Sequence, residues 1–141
     1  MSNLPMETRL EGGEDLGGVL RFKPGQIIRG VLAVYPQDQL NCQPLQIELQ
    51  WFTQGRGTRN QGTEASIEVY RGELIANVPG EFAFEIGLPL QPYTYVGRLI
   101  QVHWRLWATA KLAWKVDPDY SYPIVIAPDV RMHNTFESDP A

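Results

Sequence analysis

The side chains able to do chemistry are few in this chain of 141 residues: His103 and His133, one cysteine at Cys42, and four serines at Ser2, Ser66, Ser121 and Ser138. Nucleophilic catalysis needs a nucleophile beside a base, and neither a G-x-S-x-G elbow nor a Cys/His motif is present. His133 falls in a polar tail. His103 lies between Gln101 and Arg105 on the polar side of an alternating segment, the place of a surface histidine. Gly55-Arg56-Gly57 lacks the Lys-Ser/Thr that a phosphate loop requires. Glu81 and Glu85 read as a solvated strand edge, and Asp117-Pro118-Asp119 as a turn. Those two aspartates could hold calcium only with a third acidic group. The chain is therefore expected to be no enzyme, with no cofactor and no metal.

A second set of residues points to binding. Arg98, Gln101, His103, Arg105, Lys111 and Lys115 line one side of a segment that carries no carboxylate until Asp117. Trp107 falls among them, and Phe52 is outward on its own strand if Trp51 is inward. Outward aromatics on a polar face mark contact surfaces. This face is expected either to be solvated, with its cations paired to Glu48 or Glu85 of neighbouring strands, or to cradle an acidic or phosphorylated segment of a protein partner.

Alternation of apolar and polar residues supplies the elements that position these groups. Eleven prolines and thirteen glycines interrupt the chain at short intervals, and helix signals are scarce, so an all-β sandwich is expected with only a turn or two of helix. Strands are predicted over 26–35, over QPLQIELQWFT, and over ASIEVY, which the polar loop at 55–64 joins to the preceding strand as a long hairpin. EFAFEIGLP puts Phe82, Phe84, Ile86 and Leu88 on one side. From Ile100 to Val116 every even position is apolar. At about 3.3 Å per residue one straight strand of that length would span roughly 55 Å, too long for a domain of this size, so a bend, bulge or turn is expected, with Ala108-Thr109-Ala110 the favoured place. The predicted core is Ile28, Leu32, Val34, Ile47, Leu49, Trp51, Phe82, Phe84, Ile86, Val102, Trp104 and Leu106.

A net charge of −4 gives no global attraction to nucleic acid. There is no apolar leader and no run of about 18 apolar residues, so no integral membrane segment is expected. A lone cysteine fits a cytoplasmic location. One domain is expected over 1–130, followed by a polar tail over 131–141.

In order along the chain, FKPGQIIRGVLAV, FAFEIGLPLQPYTYVGRLIQVHWRLWA and YPIVI resemble the N-terminal half of arrestin-like domains. That group includes arrestins, arrestin-domain trafficking adaptors, the retromer cargo subunit and bacterial sporulation-control proteins. The resemblance covers about 100 residues. It implies an immunoglobulin-like sandwich of about seven or more strands and a non-enzymatic protein-binding scaffold. Two rivals stay open: a small-ligand or carbohydrate-binding sandwich, and a hydrolase with a loop-borne site. The family's paired phosphate-sensing lysines have no counterpart in METRLEGGED. Family members carry two sandwiches and this chain has length for one, so a homo-oligomer, two-fold by preference, is expected to supply the other half.

Overall fold

The computed structural model describes residues 4–55, 60–90, 95–96, 100–112 and 117–127. Ten strands follow one another: β1 (Met6–Glu11), β2 (Glu14–Asp15), β3 (Leu20–Phe22), β4 (Ile27–Val34), β5 (Leu40–Gly55), β6 (Gln61–Leu74), β7 (Gly80–Gly87), β8 (Tyr95–Val96), β9 (Ile100–Leu112) and β10 (Asp119–Ile126). No helix occurs among the described residues.

The strands form two sheets. The small one is antiparallel, in the order β1-β4-β7. The large one runs β2-β3-β10-β9-β5-β6, with β8 adding to β9, and only the β3–β10 pair is parallel. Side chains alternate across each strand, so the inner faces meet in one apolar layer. Ile28, Leu32 and Val34 of β4 face Ile47 and Leu49 of β5, with Trp104, Leu106, Phe22 and Ile126 closing the layer, all essentially inaccessible to water. Each such side chain contributes about 1.5–3 kcal/mol by leaving water.

Nine of the twelve predicted core residues are buried; Trp51, Phe82 and Val102 are only half-buried. β5 is 16 residues long against 8 in β4 and β7, so its far end reaches past the small sheet. Trp51 lies at that end and packs across β6 at Gly62, where a Cβ would come within 2.8 Å of the indole nitrogen. Only a glycine lets the ring lie so close to the strand. Phe82 stacks on Tyr70 at 4.7 Å between ring centres, at the border of the two sheets.

Two readings of the strands need correction. The break expected at 108–110 comes slightly later: β9 continues through Ala110 to Leu112, its pairing with β10 keeps one register from Trp104 to Thr109, and its pairing with β5 shifts register between Leu45–Ala110 and Cys42–Leu112. The chain turns back after Leu112, whose amide donates to Asp117 Oδ1 at 3.0 Å. β6 also begins at Gln61, inside the stretch expected to be loop. The predicted tail lies outside the described residues.

Candidate functional site

Odd-numbered residues of β9 face away from the core. There the register sets Phe52 beside His103, Gln50 beside Arg105, Glu48 beside Trp107 and Gln46 beside Thr109. On the other flank β10 brings Ser121 to Trp107 and Asp119 to Thr109. Three strands thus build one polar outer face, of which His103, Arg105, Trp107 and Phe52 are half-buried members and Lys111 an exposed one. Arg98 and Lys115, also expected on it, lie outside the described residues.

A chain of hydrogen bonds crosses this face. Arg105 donates through Nε to Gln50 Oε1 at 2.9 Å and through Nη1 to Ser121 Oγ at 3.4 Å. Gln50 Nε2 in turn donates to Glu48 Oε1 at 2.9 Å. Glu48 also accepts from Thr63 Oγ1 at 3.1 Å and from Gln46 Nε2 at 3.1 Å. Arg105, one of the cations expected to pair with Glu48 or Glu85, therefore bonds a glutamine instead, and among the described residues Glu48 receives only neutral donors. Glu85, the other expected partner, sits on the small sheet beside Arg29.

The aromatics divide the face into two ends. At one, Phe52 and His103 stack with ring centres 5.0 Å apart, and the Arg105 guanidinium lies 5.6 Å from the Trp107 ring centre. At the other, Trp107 Nε1 donates to Asp119 Oδ2 at 3.2 Å. Here Gln46, Glu48, Trp107, Thr109, Lys111, Asp117 and Asp119 line a notch of about 240 Å³. The first end is basic and aromatic; the second is mostly acidic. Sequence reading placed Asp117 and Asp119 in a turn and did not join them to Glu48, which is about seventy residues away along the chain. Among the described residues no group of three His, Cys, Asp or Glu is placed to hold a metal ion.

Thr109 is a residue that sequence reading passed over, because it fell in the supposed bend. It is 6% exposed, and its Oγ1 has no hydrogen-bond partner among the described residues. Beneath this end Cys42 is buried in β5, and loss of hydration pushes its thiol up to about 11. A thiol so placed is a core side chain rather than a nucleophile.

Two sheets of this topology, with an inner apolar layer and no helix among the described residues, form a β-sandwich. Of solved structures, 153 chains match it. One is Spo0M, the sporulation control protein of Bacillus subtilis, with a TM-score of 0.71 at 17% identity. The match covers 97% of this chain and 54% of that one, so the chain spans about half the length of this neighbour. No protein-family model and no curated protein matches the sequence. At such identity the likeness establishes the fold, in agreement with the resemblance carried by the sequence.

Proposed function

We propose that this chain is a non-enzymatic protein-interaction module whose contact surface is the outer face of the large sheet. The observation that carries the reading is the half-burial of Phe52, His103 and Trp107 on a polar face. Aromatic groups with polar tips are enriched where proteins meet, since they give area at small entropic cost. The notch on this face holds carboxylates, an indole and an amide but no histidine, cysteine or serine, which weighs against a hydrolase with a serine or cysteine nucleophile.

The basic end is where an acidic or phosphorylated segment of the partner would sit, against Arg105 and His103. The compartment in this reading is the cytoplasm, in line with a lone buried thiol. No helix among the described residues is long and apolar enough to cross a membrane.

Self-association is the finer part of the proposal. β6 ends the large sheet, but register shifts leave Glu64 and Val69 without a residue opposite on β5. Such bulges, with Glu64, Glu68 and Arg71 on the strand, blunt an edge against pairing. A two-fold contact through the Trp107 face fits better. Light scattering after size exclusion tests it: a mass near 16.0 kDa at tens of micromolar removes the dimer.

The partner reading is tested by affinity capture from native lysate with mass spectrometry, using wild type, Phe52→Ala with Arg105→Glu, and Val31→Glu on the small sheet. A partner held by wild type and Val31→Glu but lost by the double variant supports it. Capture indifferent to the double variant, or turnover of a substrate panel, refutes it.

A further inference from the structure

The notch beside Trp107 holds acceptors that the fold itself does not use. Asp119 spends Oδ2 on the Trp107 indole and Asp117 spends Oδ1 on the Leu112 amide. Their second oxygens have no donor among the described residues. The Thr109 hydroxyl at the floor is also unpartnered although nine-tenths buried, an arrangement native proteins rarely leave unless something outside the chain completes it. Glu48 brings a third carboxylate that receives only neutral donors among the described residues. Against these stands one cation, Lys111, which has no ion pair among the described residues.

We propose that this notch receives the guanidinium of an arginine carried by the partner, stacked on Trp107 and hydrogen-bonded to Asp119, Asp117 and Thr109. The inference rests on the protein-binding reading and names the chemistry at one end of its surface. Among the described lining residues three carboxylates stand against one ammonium, a balance that favours a cation over an anion. A flat indole wall favours a planar, weakly hydrated cation, which stacks and forks to a carboxylate, over a compact ammonium that keeps its water. A divalent metal is disfavoured because the carboxylates are not placed to converge. Lys111 at the rim repels the same charge and lowers the affinity that the carboxylates provide.

The test needs no partner. N-acetyl-arginine methylamide is titrated into ¹⁵N-labelled protein, and the Trp107 indole N–H, assigned by its absence in Trp107→Phe, is followed by NMR. A saturable shift is expected, weakened about tenfold by Asp119→Asn, as loss of a charged hydrogen bond requires. Lys111→Gln is expected to tighten binding about twofold, the effect of removing one exposed like charge. Thr109→Val, which keeps side-chain shape, weakens binding while the protein stays folded. No saturation, an equal response to N-acetyl-lysine methylamide or calcium chloride, or an affinity unchanged by Asp119→Asn overturns the proposal. A captured partner without arginine saturation removes only the notch's ligand; arginine saturation without a partner keeps the notch and removes the protein-binding reading.

Discussion

The outer faces of the two sheets are built to the same rule and finished differently. On the small sheet a hollow of about 630 Å³ is lined by Arg9, Glu11, Arg29 and Glu85 over Val31 and Ala83. Its arginines are matched: Arg9 pairs with Glu81, and Arg29 with Glu85 at 3.6 Å. On the large sheet the hollow is less than half that size, yet among the described residues its carboxylates form no ion pair, and the buried Thr109 hydroxyl goes unbonded. Size marks neither as a site. What separates them is whether the chain pairs the charges at its own hollow, since charges it leaves unpaired are open to complementary groups of a partner.

Substitutions can break or sharpen that contrast. The largest effect is expected at Gly30, where the small sheet closes on itself: a Cβ there would lie 2.7 Å from Leu10 Cδ2 and 2.8 Å from the Arg9 carbonyl oxygen. Backbone cannot yield as a side chain can. Gly30→Ala should therefore cost about 3 kcal/mol of stability, read from the urea midpoint, as overpacking does.

A smaller effect is expected from pH beneath the large sheet. Burial raises the Cys42 thiol from an ordinary 9.0 to about 11, with Asp117 adding to the rise. The folded state then holds its proton more tightly than the unfolded one. This stabilisation is complete below pH 9 and is lost as pH climbs toward 11. Urea midpoints of wild type and Cys42→Ala should accordingly converge over that window, and a gap that stays constant would show the thiol to be hydrated.

Next comes Thr109→Val. Removing an unbonded hydroxyl while keeping shape should raise stability by about 1 kcal/mol, and a loss instead would mean that the hydroxyl has a partner within the fold. The smallest effect is expected on the small sheet's surface, where Arg9→Ala and Arg29→Ala break exposed ion pairs. Their melting temperatures should match wild type once salt screens those pairs. A clear loss there would erase the distinction between the two faces.

Alternation along single strands was enough to read the all-β class, the inward set from Ile28 to Leu106, and the outward direction of Trp107 and Phe52. Those properties depend on neighbours two residues apart, and a strand's pleat carries them wherever the strand goes. The half-burial of Trp51 and Val102 was not legible in this way, because it depends on where the other sheet stops. Nor was the choice of Gln50 over Glu48 as partner to Arg105, which depends on the register between β5 and β9. The notch is further still from the sequence: Glu48, Thr109 and Asp119 meet only because β9 runs between β5 and β10. Local pattern sets which way a side chain points, whereas strand order and register decide what it points beside, and the unmatched charge at Trp107 is a product of the second.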